Sequence, residues 1–224
     1  MKRFFAVTIL VLLIFLPAVA AASAGQAGFS VYSAEDSVGK TIVKNQKGLA
    51  LVQTWYGQNF YLDTRSSGYG KFNHKVYQEA LEEISFPLEG LEDYKVYTLP
   101  YQLADNKNVL AYTFQDNSTV VFAGDRNYTD REIHWLAAHE AGHAVDFKYM
   151  DSEKWEEYKV LRGITDSKKY NNNAPHKDQP REIFAEDFRM LFGGDLAVSI
   201  PHENDSLPSP SAVKGLKEFF LSLA

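Results

Sequence analysis

The order of apolar and polar positions divides the chain into three stretches. Phe4 to Leu16 is apolar apart from Thr8, with Lys2 and Arg3 before it and Pro17 and the small residues Ala22-Ser23-Ala24 after it. That is the pattern of a cleaved secretory signal, and the run is shorter than the ~20 residues a bilayer span needs. Residues 1–24 are therefore read as a signal peptide, with no stable membrane span once it is removed. Residues 25–48, rich in Gly, Ser and Lys, read as an extended N-terminal arm or a pro-segment. Residues 49–224 read as a single domain.

Within that domain the period alternates at first and turns helical for good after Ala123. Leu49 to Tyr56 and Phe60 to Leu62 carry β-formers around Gly57-Gln58-Asn59 and predict a strand pair. Val76, Tyr77, Ala80, Leu81 and Ile84 recur at helical spacing behind Asn73, a side chain suited to capping. Tyr94 to Leu99, Val109 to Phe114 and Ser118 to Ala123 read as strands, the last two joined by a turn at Gln115-Asp116-Asn117. From Thr129 onward the chain reads as helical. Thr129-Asp130-Arg131-Glu132 is a capping-box pattern opening a helix that reaches Tyr149. Further helices are predicted from Ser152 to Arg162, from Pro180 to Phe192 before Gly193-Gly194, and from Ala212 to Leu223. The fold class is α+β: a small mixed β-sheet packed on the Thr129–Tyr149 helix, followed by a mainly helical C-terminal part.

Charge and cysteine usage narrow the function. The 23 basic residues face 29 acidic ones, a net charge of -6, and removing Lys2 and Arg3 makes the balance more acidic. With no basic stripe, nucleic acid is not an expected partner. There are no cysteines, so an exported chain must hold itself together by packing or by metal.

The long helix carries His139-Glu140-Ala141-Gly142-His143. Four residues apart, His139 and His143 share a helix face and can bind one Zn²⁺ from a single rigid element. Glu140 is rotated by about 100° from His139. It can flank the open coordination position as a general base, which is what a metal-dependent hydrolase requires. No further His or Gly follows within Ala144 to Tyr149, which excludes the metzincin pattern. Downstream, Glu182 and Glu186 share a face of the Pro180 helix. One of them can complete a His/His/Glu set, and the other can support a ligand histidine from behind. His74, His134 and His202 read as solvated or capping side chains.

His139-Glu140-Ala141-Gly142-His143-Ala144-Val145-Asp146 followed by Glu182-Ile183-Phe184-Ala185-Glu186-Asp187-Phe188 resembles the zinc-binding segments of the anthrax lethal factor catalytic domain and of the secreted Pro-Pro endopeptidases of Gram-positive bacteria. These are gluzincin-type zincins. The resemblance spans Arg131 to Met190 and implies a zincin-like catalytic domain. It assigns Glu182 to the metal, and it places Glu186 and Asp146 behind the ligands. The relatives also carry a tyrosine seven residues before the ligand glutamate, where it stabilises the tetrahedral intermediate. Pro175 occupies that position here, leaving Tyr170 and His176 as candidate oxyanion donors.

The expectation is a secreted, extracellular endopeptidase that uses one Zn²⁺ ion and Glu140 to hydrolyse protein or peptide substrates. Strand Ser118 to Ala123 is expected to form the cleft edge, where an extended peptide would add as a strand. The alternative is a catalytically inactive zincin-like extracellular binding protein, which would have no use for a base beside the metal.

Overall fold

The computed structural model describes residues 29–32, 43–44, 49–53, 59–63, 73–92, 94–99, 101–104, 106, 108–115, 118–122 and 127–224. The segment read as a signal peptide, the 57–58 turn and the 116–117 turn lie outside the described residues. Eight strands are described: β1 (Phe29–Tyr32), β2 (Val43–Lys44), β3 (Leu49–Gln53), β4 (Asn59–Asp63), β5 (Tyr94–Leu99), β6 (Gln102–Leu103), β7 (Ala111–Phe114) and β8 (Ser118–Phe122). The helices are α1 (His74–Glu82), α2 (Asp130–Tyr149), α3 (Ser152–Arg162), α4 (Pro180–Phe192), α5 (Asp195–Val198) and α6 (Leu216–Leu221). Among the described residues no helix is long and apolar enough to cross a membrane. The α+β class holds, with α1 among the strands and the other helices after them.

The strands form two sheets rather than one. The mixed sheet runs β1-β5-β8-β7 and the second runs β2-β3-β4-β6. In the mixed sheet β1, β5 and β8 are parallel and β7 is antiparallel to β8. The arm at 25–48 contributes β1 and β2, so the β-structure begins before residue 49. The expected cleft edge is corrected too. Strand β8 is paired on both sides and buried along its length, as its Thr/Val-rich sequence fits, while β7 closes the sheet at its edge.

Helix α1 is capped as its sequence predicts, the Asn73 side chain accepting from Lys75 N at 3.1 Å. Helix α2 begins with the capping box, Glu132 N donating to Thr129 Oγ1 and Thr129 N to Glu132 Oε2. It is buried on several faces at once, between α1, α4 and the edge strand β7. That explains why its buried positions run almost continuously from Leu136 to Gly142 rather than in one stripe.

Two glycines decide local geometry. A Cβ on Gly142 would lie 2.8 Å from Ala185 Cα and 2.9 Å from its carbonyl oxygen. The motif glycine and Ala185 therefore let α2 and α4 approach backbone to backbone, which sets the two glutamates of α4 against the two histidines of α2. At Gly215 φ is +86°, left-handed backbone that a side chain disfavours. The helix expected from Ala212 is split there: Pro210–Ala212 forms a 3-10 turn, and α6 starts only at Leu216. The core beneath the helices is aromatic, with Phe184 and Phe220 at 4.7 Å and Tyr158 edge-on to Phe184 at 5.1 Å.

Candidate metal centre

Helix geometry places His139 and His143 one turn apart, their rings 4.8 Å apart and edge to face. Helix α4 brings Glu182 Oε2 to 3.2 Å from His139 Nε2 and 3.2 Å from His143 Nε2. All three donor atoms lie within 4.8 Å of one another, so the group could hold a metal ion. Around a tetrahedral ion with bonds of about 2.0–2.1 Å, neighbouring ligand atoms sit about 3.3 Å apart. The two glutamate–imidazole separations match that spacing, and two imidazole nitrogens with one carboxylate oxygen are a donor set that zinc favours.

Glu186 determines which nitrogen of His139 is available. Its Oε1 lies 3.0 Å from His139 Nδ1 and accepts from Trp135 Nε1 at 3.1 Å and Arg189 Nε at 2.8 Å. Its Oε2 accepts from Arg189 Nη2 at 2.7 Å and Glu203 N at 3.1 Å. A carboxylate surrounded by obligate donors can only accept, so Nδ1 carries a proton and Nε2 is the nitrogen directed at Glu182 and the cleft. Trp135 stacks on the ring of His139 at 5.4 Å and fixes its plane.

The electrostatics favour positive charge. Burial by itself lowers the pKa of His139, but the contacts to Glu182 and Glu186 outweigh it and push the value up to about 10. Burial works against ionisation of both glutamates, yet their histidine contacts hold each well below the usual carboxylate range. A site that draws a proton so strongly onto an imidazole will draw a divalent cation for the same reason, the cation displacing the proton.

Asp146 is buried three residues after His143: burial raises its pKa, while Arg181, His143 and Trp155 oppose that rise. Its hydrogen-bond partners are Arg181 Nη1 and Trp155, so it reaches His143 through charge. Arg181 also lies over the ring of Phe147, at 5.0 Å.

Glu140 accepts a 2.5 Å hydrogen bond from Thr113 Oγ1 on β7. The carboxylate lies at a cleft of about 600 Å³ whose walls include Leu110, Tyr112, Leu136, Phe147, His176 and Arg181. The two candidate oxyanion donors part company here. His176, in a 3-10 turn, has Nε2 3.2 Å from Glu182 Oε2 and Nδ1 3.0 Å from Glu203 Oε2. The Glu203 bond raises its pKa, burial lowers it, and Glu182 adds to the rise. Tyr170 is not brought to the site. Its ring is packed in the hydrophobic core with only 9 % exposed, and Lys169 Nζ lies 4.7 Å from the ring centroid.

Of the remaining histidines, His134 differs from expectation. His134 is buried rather than solvated, its Nδ1 3.1 Å from Glu83 Oε2. His202 Nε2 lies 3.1 Å from Asp187 Oδ1. The side chain of His74 lies outside the described residues.

Sequence reasoning missed Glu203, Thr113 and Arg189. Arg189 had a local signal, three residues after Glu186 on the same helix. Thr113 had a weak one, a hydroxyl inside an otherwise apolar strand. Glu203 had none: it is 27 residues from His176, in a stretch that reads as plain loop.

No known family, no curated protein and no solved structure matches the chain. The class that fold and site define is therefore an α+β protein with a His139/His143/Glu182 group able to hold a metal ion.

Proposed function

We propose that this protein is an exported zinc-dependent endopeptidase acting on protein or peptide substrates. One observation carries the reading. His139, His143 and Glu182 converge at the cleft, with Glu140 beside them and the edge strand β7 along one wall. The resemblance of the two motif segments to gluzincins agrees with it, and the apolar N-terminal segment supports export.

Bound zinc would supply Lewis acidity, making a water acidic at neutral pH and polarising the scissile carbonyl. The protein's own residues do the rest. Glu140 takes the proton of the attacking water and hands it to the departing amine. His176, held from behind by Glu203, donates toward the carbonyl oxygen as negative charge develops. Glu186 keeps His139 in the tautomer and orientation that a ligand needs. Among the described residues β7 is the last strand of the mixed sheet, and an extended peptide laid along it favours polypeptide over small-molecule substrates.

The test is cleavage of a diverse peptide library with and without chelator, comparing wild type with Glu140→Ala. Chelator-sensitive cleavage that Glu140→Ala abolishes while retaining zinc is the expected result. Absence of such cleavage across the library would sink the reading, and zinc binding without turnover would favour an inactive binding protein.

A further inference from the structure

Three hydroxyls form a line that ends on Glu140. Thr113 Oγ1 donates to Glu140 Oε2 at 2.5 Å and lies 2.8 Å from Thr119 Oγ1. Thr119 Oγ1 lies 3.1 Å from the Tyr94 hydroxyl, which also donates to Ser118 O at 3.0 Å. Tyr94 and Thr119 are both buried, and Thr113 and Thr119 are register partners on β7 and β8.

Counting protons gives this line a direction. A base must be ionised to act, and an ionised carboxylate only accepts, so the Thr113 proton is committed to Glu140. Thr113 Oγ1 can then only accept from Thr119. The Thr119 proton being spent, the contact between Thr119 and Tyr94 has Tyr94 as donor, its proton shared with Ser118 O. Both threonine hydroxyls point the same way, toward one oxygen of Glu140, with the Tyr94 hydroxyl behind them.

We propose that Thr113, backed by Thr119 and Tyr94, is a positioning residue that ties down Glu140 Oε2 and leaves Oε1 as the oxygen that takes the proton. The inference rests on the peptidase reading above. A carboxylate on a helix side chain has rotamers to choose from, and a proton acceptor displaced by about 1 Å loses about 100-fold in rate. The anchor comes from the edge strand, so the element that lines the cleft also sets the angle of the base.

The test compares Thr113→Val, which keeps the shape and removes the hydroxyl, with Thr113→Ser, which keeps the hydroxyl. Zinc content, KM, kcat and Tm are measured for both. Thr113→Val is expected to bind zinc and substrate as wild type does while kcat falls about 10–100-fold. Thr113→Ser is expected to restore most of that loss.

A thermal double-mutant cycle with Glu140→Ala reads the contact without any turnover. Thr113→Val should lower Tm by about 2–6 °C more in the Glu140 background than in the Glu140→Ala background. Loss of zinc in Thr113→Val, a kcat within about twofold of wild type, or equal losses in Val and Ser overturns the proposal. So does additivity in the cycle. If wild type shows no chelator-sensitive cleavage, the peptidase reading fails by itself, and the cycle still decides whether Thr113 holds Glu140.

Discussion

Glu186 and Asp187 are neighbours on α4, both buried, both beside a histidine and an arginine, and they do opposite things. Glu186 meets His139 at 3.0 Å and Arg189 at 2.7 Å. Asp187 meets His202 at 3.1 Å, and its Oδ2 accepts from Arg162 Nε and the Tyr158 hydroxyl at 2.7 Å each. The difference lies in the second nitrogen of each ring. His139 Nε2 remains directed at Glu182 and the cleft. His202 Nδ1 accepts from Asn204 N at 2.9 Å, so it carries no spare lone pair, and Nε2 donates to Asp187. A buried histidine–carboxylate pair is thus a staple when the second nitrogen accepts from a backbone N–H, and a candidate ligand when that nitrogen faces a carboxylate at the cleft.

Changes on the two sides of α4 should separate zinc affinity from stability. The largest effect is expected for Glu182→Ala, which removes one of the three candidate ligand atoms and, on the proposed function, should weaken zinc binding on the order of 1,000-fold or more. A competition titration against a fluorescent chelator measures it. Next is Asp187→Ala, which leaves the Arg162 guanidinium buried without its carboxylate. A stability loss of about 3–5 kcal/mol is expected in urea denaturation, with zinc affinity of the folded fraction unchanged. Glu186→Gln should do the reverse in emphasis, weakening zinc binding about 10–100-fold because the tautomer of His139 is no longer enforced. If Asp187→Ala and Glu186→Gln shift zinc affinity alike, the distinction between staple and ligand support is wrong.

The parts of this arrangement that were legible in the sequence are those written in short-range pattern. Helices α3 and α4 begin and end where their caps and prolines place them, at Ser152–Arg162 and Pro180–Phe192. The pairing of His139 and His143 with the two glutamates of α4 followed from spacing and resemblance, and the α2–α4 contact at Gly142 is its physical basis. What could not be read was lateral order and long-range contact. Strands β7 and β8 are both rich in β-formers, and nothing local states which one ends the sheet. Strand β1 pairs with β5 across more than sixty residues of chain, by a parallel register with no turn signature. Glu203 reaches His176 because Asn204 Nδ2 donates to Lys177 O at 2.8 Å and Asp178 Oδ1 at 2.9 Å, pinning two loops together. Tyr170 and His176 looked equivalent as loop residues, and only packing distinguishes them.

The smallest predicted effect concerns pH and the closed side of α4. Burial pushes the Tyr158 hydroxyl well above its usual value of about 10, the Asp187 charge and hydrogen bond push it further, and Arg162 opposes them. The folded protein therefore holds this proton more tightly than the unfolded chain does. Its contribution is complete below about pH 10 and is lost as pH rises beyond that, toward the folded value. Tyr77 behaves alike, raised by burial and then by Glu140. With two such groups, stability should fall by up to about 2.7 kcal/mol per pH unit above pH 10. Tyr158→Phe gives up a buried hydrogen bond, costing about 1–3 kcal/mol at neutral pH, but it should remove about half of that alkaline slope. Urea denaturation between pH 8 and 11.5 measures both quantities. An unchanged slope would mean that the Asp187 cluster opens to solvent before Tyr158 ionises, and the staple would then be looser than its distances imply.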